Sequence, residues 1–169
     1  MMATDISSRV LDAAKVNQKI TRIAYEIFEN NFKEKKIVIA GIDGQGYILA
    51  RQIATELKKI SPVQIQLVKV SLDKLAPLQS EVTLDTEIKD IKKKCIVLVD
   101  DVLNTGRTLA YGMKPFLSME VKKIEVAVLV NRSNTLFPVT PSYTGYELAT
   151  TLTDHVEVIL GKNAAVYLR

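Results

Sequence analysis

The chain predicts an α/β fold, a parallel sheet with helices on both faces, and three observations lead there. Continuous apolar runs of strand length occur at Ile37-Val38-Ile39-Ala40, Cys95-Ile96-Val97-Leu98-Val99 and Val126-Ala127-Val128-Leu129-Val130. Unbroken apolarity of this kind marks strands buried on both faces, as in parallel sheets. Amphipathic stretches of helical length separate the runs, and strand alternating with helix is the α/β order. Finally, two of the runs end in loops of unusual chemistry, Gly41 to Gly46 and Asp100 to Arg107. In open α/β sheets, ligands bind at the carboxyl ends of strands.

Asp12 can cap a first helix over about 12–30, whose apolar face carries Val16, Ile20, Ile23, Ala24, Ile27 and Phe28. A strand over 36–40 follows, then a helix over about 47–60 that stops before Pro62. Residues 63–67 alternate as a half-exposed strand does. The polar stretch between Ser71 and Lys93 reads as an excursion with a short hairpin. The strand over 95–99 leads through the Asp-Asp loop into a helix over about 108–119, and a further strand covers 124–130. The tail, with Pro138 and Pro141, reads as turns and short strands at 155–160 and 164–168. No repeat or linker divides the chain, so residues 1–169 are expected to form one domain.

Composition narrows the chemistry. One cysteine, Cys95, and one histidine, His155, leave no disulfide framework and no cysteine- or histidine-rich metal cluster within the chain. Cys95 reads as a small buried hydrophobe opening a strand, and His155 as a solvated loop or strand-edge residue. Net charge is +4, mild enough to suit a phosphate-rich small ligand without requiring nucleic acid. No segment has the apolar length of a membrane span, and Met1 to Asp5 lack a leader pattern. A cytoplasmic protein with no membrane partner is expected.

The Asp-Asp loop is the more informative. Val97, Leu98 and Val99 deliver two adjacent carboxylates, Asp100 and Asp101, to a strand end where both are expected to be exposed. Asn104, Thr105, Gly106, Arg107 and Thr108 then supply hydroxyls and backbone N–H groups at a helix start. Such donors suit a phosphate monoester, which the helix dipole favours further. The carboxylates repel phosphate but accept from sugar hydroxyls, and they suit Mg2+. A phosphate cup beside diol acceptors describes a sugar phosphate. A nucleotide-binding P-loop is missing, and Gly41, Gly44 and Gly46 are spaced wrongly for a dinucleotide fingerprint. An exposed turn before a capped helix is the plain structural alternative for Asp100-Asp101.

The stretch from Cys95 to Thr108 resembles the signature of type I phosphoribosyltransferases. Ile20-Thr21-Arg22-Ile23-Ala24-Tyr25-Glu26, Gly112-Met113 and Ala127-Val128-Leu129-Val130 extend the likeness to the PyrR-like branch, pyrimidine-operon regulators with uracil phosphoribosyltransferase activity. The resemblance implies a small hood of short terminal segments over the parallel sheet. It implies that Asp100 and Asp101 hold the ribose, directly or through Mg2+, and are the catalytic pair. It gives the 5′-phosphate to Asn104, Thr105, Gly106, Arg107 and Thr108, and the pyrophosphate to a loop of Gly41, Ile42, Asp43 and Gly44.

The chain also departs from that branch. Asp43 and Gln45 stand where basic residues are usual, Lys74 is the one cation following Val70-Ser71-Leu72-Asp73, and Asn131-Arg132-Ser133 replaces Asp-Arg-Gly. Tyr25 replaces a histidine of the RNA-binding regulators. The implied reaction is transfer of ribose 5-phosphate from phosphoribosyl pyrophosphate to a nucleobase, with a nucleoside monophosphate as product. Asn104 cannot act as a base toward a purine, which points to uracil. The other reading is a nucleotide-sensing RNA-binding regulator using Thr21 and Arg22, residues that otherwise read as a solvated helix face. Weak or absent RNA binding and a homo-oligomer, a dimer or larger, are expected.

Overall fold

A computed structural model describes residues 8–78 and 80–169, so the leader reading at Met1 to Asp5 lies outside the described residues. Helix α1 (Ala13–Asn31) starts as expected, with the Asp12 carboxylate accepting from the Lys15 N–H at 2.9 Å. Its face of Val16, Ile20, Ile23, Ala24 and Ile27 is buried. Strand β2 (Lys36–Ile42), helix α2 (Gln45–Ile60) and strand β3 (Gln64–Ser71) form a βαβ unit. The polar excursion then returns through β4 (Thr83–Leu84) and the short helix α3 (Ile88–Ile91). Its expected hairpin is the antiparallel pairing of Val70 with Leu84.

Strand β5 (Cys95–Leu103) lies beside β2, followed by α4 (Arg107–Gly112), α5 (Lys114–Leu117), β6 (Lys123–Asn131) and β7 (Tyr143–Glu147). The six-stranded sheet runs β4-β3-β2-β5-β6-β7, parallel except at β4. A second, antiparallel sheet joins β1 (Ser8–Leu11), β9 (Ala165–Leu168) and β8 (Val156–Ile159), and it forms the hood.

Strand alternation divides the interior into two cores. Ile37, Ile39, Val97 and Val99 join the α1, α2 and hood side, while Val38, Ala40, Ile96 and Leu98 join the side covered by α3, α4 and α5. The chain moves from β2 to β3 on one side, then crosses back to place β5 on the other. The loops after β2 and β5 therefore diverge at the switch point, where a crevice opens.

Several expectations need correction. Strand β2 continues through Gly41 and Ile42, which pair with Lys69 and Val70, so only Asp43 and Gly44 of the expected pyrophosphate residues lie in a loop. Strand β5 likewise continues to Leu103, and Asp100 is buried within it instead of standing exposed at its end. The helix expected over 108–119 is split at Met113, because Pro115 has no N–H to donate and its ring crowds the preceding turn. Strands β1 and β7 were not foreseen.

Candidate active site

Asp100 is 3% exposed, one of two buried polar or charged side chains among the described residues. Its Oδ1 accepts from the Asp101 N–H at 2.9 Å and pairs with the Lys74 ammonium at 3.5 Å. Burial, followed by the neighbouring Asp101 charge, pushes its carboxyl well above the ordinary range, with Lys74 opposing. Gly46 of α2 makes this arrangement possible. A Cβ there would lie 2.8 Å from Asp100 Oδ1 and 3.0 Å from the Val99 carbonyl oxygen. The first turn of α2 thus meets β5 at Val99 and Asp100 with no side chain between them.

Beyond β5 the chain turns into α4 through Asn104, Thr105 and Gly106. Gly106 has φ 85°, a left-handed conformation that glycine adopts without steric penalty. A Cβ would also approach the Phe137 carbonyl oxygen to 3.2 Å. The Leu136 and Phe137 N–H groups both donate to the Thr105 carbonyl, at 2.7 and 3.0 Å, and the Arg107 N–H donates to Thr105 Oγ1 at 3.3 Å. The loop is therefore shaped by the protein before any ligand arrives. Its helix α4 has only six residues, so the dipole adds less than a long helix would, and the donors themselves carry the anion preference.

A cavity of about 540 Å³ collects these parts. Lys74 and Leu75 line one side, residues 100–109 the floor, and His155, Val156, Glu157 and Val158 of the hood the roof. The His155 backbone exchanges hydrogen bonds with Arg169, at 2.7 and 2.8 Å, which fixes the residue at the edge of the hood sheet. His155 is the strand-edge residue expected, but its place in the cavity wall was missed. Arg132, just past β6, ties floor to roof. Its guanidinium donates to Asn104 Oδ1 (2.9 Å), Thr150 Oγ1 (2.9 Å) and the carbonyls of Thr151 (3.2 Å) and Asp154 (2.8 Å).

Residues 7–160 match the family model described as the phosphoribosyl transferase domain. The chain belongs to the phosphoribosyltransferase family. Two curated relatives named "Bifunctional protein PyrR" bear on the branch. The protein from Leuconostoc mesenteroides is 33% identical, with 94% of this chain and 96% of that protein covered. The one from Fusobacterium nucleatum is 32% identical with the same shares, 94% and 96%. Among solved structures, the hypoxanthine phosphoribosyltransferase of Trypanosoma cruzi superposes with TM-score 0.74 at 13% identity, over 88% of this chain and 84% of that one. A hypoxanthine-guanine phosphoribosyltransferase from Bacillus anthracis gives 0.68 at 15%, over 83% and 82%. At such identities these structures speak for the phosphoribosyltransferase fold alone.

In this member of the family, Asp100, Asp101, Asn104, Thr105, Gly106, Arg107 and Thr108 all line the cavity. The other loop fares differently. Gly41 and Ile42 are buried sheet residues, and a Cβ at Gly41 would lie 2.6 Å from Tyr47 Cα and 2.7 Å from Ala50 Cβ, so this glycine serves close packing of β2 on α2. The Gly44 N–H donates to the Asp43 carboxylate at 2.9 Å, and neither residue lines the cavity. Thr21 and Arg22 lie on α1, with Arg22 exposed and paired to Glu26 at 3.0 Å. Lys74, Arg132 and the hood residues were not assigned to the site from sequence, although Arg132 stands at a strand's carboxyl end, where such residues are to be sought.

The donor set fits a hard divalent cation. Among the described residues no group of three or more His, Cys, Asp or Glu is assembled for a metal. Mg2+ commonly takes one or two carboxylates, with substrate oxygens and water completing its shell. Asp100 and Asp101 provide that pair, and a cation beside Asp100 would offset the cost of its buried charge.

Proposed function

We propose that this chain transfers ribose 5-phosphate from phosphoribosyl pyrophosphate to uracil, releasing pyrophosphate. The carrying observation is the single cavity that joins the Asp100–Asp101 carboxylates to the Thr105–Thr108 loop beneath the hood. Asp100 and Asp101 accept from the ribose 2- and 3-hydroxyls and would hold Mg2+, which supplies positive charge to the departing pyrophosphate. Thr105, Gly106, Arg107 and Thr108 take the 5′-phosphate, and Asn104, at the start of the same loop and bonded to Arg132, faces the base. The hood residues around His155 border the space left for the base.

Transfer at C1 passes through a transition state with oxocarbenium character, so positioning and electrostatics suffice and no protein nucleophile is needed. Asp43 stands in the Gly41–Gly44 segment where basic residues are usual in the PyrR-like branch, and its carboxylate accepts from the Gly44 N–H, so this segment offers pyrophosphate no positive side chain. Lys74, already in contact with Asp100, is the cation that the site offers in its place. Sequence-selective RNA recognition through Thr21 and Arg22 is not part of this reading, because Tyr25 stands where the RNA-binding regulators carry a histidine and the net charge is only +4. Purified protein incubated with labelled phosphoribosyl pyrophosphate, Mg2+ and a panel of bases tests the proposal. Labelled UMP is expected. Transfer to hypoxanthine or guanine in preference to uracil would overturn the base assignment, and absence of any nucleotide would overturn the reaction.

A further inference from the structure

We infer that Arg132 sets the polarity of Asn104, so that Asn104 meets the base as a hydrogen-bond donor and selects bases that present an acceptor, not an N–H, at that point. The inference rests on the transferase reading above and deepens it.

A carboxamide has one acceptor end and one donor end, and its two orientations are nearly equal in shape. Here the neighbour decides between them. The Arg132 guanidinium lies 2.9 Å from the Asn104 side chain, and a guanidinium carries donors only. The oxygen must therefore face Arg132, since the reverse orientation would set donor against donor. That leaves the amino group for whatever occupies the cavity that Asn104 lines.

The same guanidinium is itself immobilised. Its other contacts are Thr150 Oγ1 and the carbonyls of Thr151 and Asp154, in the segment that leads directly into His155 and β8. Rotation about the Asn104 amide would cost a charge-assisted hydrogen bond, and displacing Arg132 would cost three more. Asn104 is also the residue of its loop that touches this link to the hood, whereas Thr105 is anchored through Leu136 and Phe137 on the other side. The base, lying between loop and hood, is the part of the substrate that Asn104 meets.

The chemical consequence follows from tautomers. A purine attacks through N9 only while its imidazole proton sits on N7, and that N–H requires an acceptor. Asn104 offers none, because its oxygen is committed to Arg132. A pyrimidine-2,4-dione presents its 2-carbonyl oxygen beside the reacting nitrogen and matches an N–H donor. A site built around one hydrogen-bond polarity rejects the mismatched partner strongly, since a donor is left facing a donor.

The test uses the full chain and two probes, UMP and ribose 5-phosphate, which share the phosphate and ribose but differ in the base. Calorimetry gives the affinity ratio of the two. Asn104→Leu is expected to reduce the ratio by about tenfold, the share of one hydrogen bond. Arg132→Met should lower it similarly, and the double variant no further, because Arg132 acts through Asn104. Arg132→Lys keeps a donor for Asn104 Oδ1 and should restore at least half of the ratio. In turnover with phosphoribosyl pyrophosphate, Asn104→Asp should shift kcat/KM from uracil toward hypoxanthine by about tenfold or more. An unchanged ratio in Asn104→Leu, or multiplying losses in the double variant, would overturn the inference. A chain that transfers no base at all would defeat the transferase reading, while the two binding probes would still decide the role of Asn104.

Discussion

Substituting Gly46 with alanine tests whether the buried carboxylate is held where the site needs it. The added Cβ would lie 2.8 Å from Asp100 Oδ1, 3.0 Å from the Val99 carbonyl oxygen and 3.1 Å from Asp100 Cα. Ordinary contact begins near 3.4 Å, so α2 and β5 must separate by about 0.6 Å. Two of the three clashing atoms are backbone in a strand paired on both sides, and the third belongs to a side chain tied to the Asp101 N–H. No flexible side-chain end is available to move aside. Overpacking of this kind costs about 1–3 kcal/mol, which in a chain of 169 residues lowers Tm by roughly 2–12 °C. The site should suffer more than the fold, because a displacement near 1 Å in a positioned group costs about a hundredfold in rate. Calorimetric melting, ribose 5-phosphate titration and base-transfer rates would be compared with the parent. Gly46→Ala with unchanged Tm and unchanged ribose 5-phosphate affinity would refute the claim that this glycine makes room for Asp100.

Three other outcomes are expected. Asp100→Asn should abolish productive ribose binding yet raise stability at neutral pH. Because the folded carboxyl is shifted upward, its protonated form favours the fold in acid, and that contribution is lost as pH rises through the shifted value. The variant's advantage in chemical denaturation should therefore grow from pH 4 toward pH 8, and a constant or reversed difference would count against the burial argument. Thr105→Val removes a hydroxyl from the loop and should weaken UMP binding about tenfold, or ~1.4 kcal/mol; equal affinity with the fold intact would remove Thr105 from the phosphate site. Arg22→Ala should leave base transfer unchanged. The parent should show no submicromolar, sequence-selective RNA binding at physiological salt, and such binding, lost in the variant with a salt slope reduced by about one contact's share, would establish α1 as an RNA face.

The sheet was legible because burial on both faces leaves an unambiguous trace. The apolar runs at 37–40, 95–99 and 126–130 sit in the three central strands β2, β5 and β6, in the positions that both cores require. Their ends were less legible, since a glycine or a pair of aspartates interrupts the apolar run while burial and pairing continue past it. Gly41 and Ile42 continue β2, and Asp100 to Leu103 continue β5, through residues that read equally well as loop. Edge strand β7, Tyr-Thr-Gly-Tyr-Glu, has no apolar run, and its pairing with β6 comes from the neighbour's register. The split in the helix after Thr108 was available in principle, because Pro115 cannot donate to the turn before it.

The site divides in the same way. Residues 100–108 carry their chemistry in consecutive positions, so their gathering along one cavity wall could be expected without coordinates. The other parts reach the cavity from distant segments: Lys74 from the excursion after β3, Arg132 from the end of β6, and His155 to Val158 from the hood. None has a local pattern, because each is placed by tertiary packing. Asn104 shows what this adds. In sequence it is an amide with two possible hydrogen-bond polarities. Beside Arg132, 28 positions further along the chain, it has one. The proposed phosphate and ribose contacts thus lie in one local segment, whereas the proposed base contact at Asn104 takes its polarity only when β6, the hood and the loop after β5 come together.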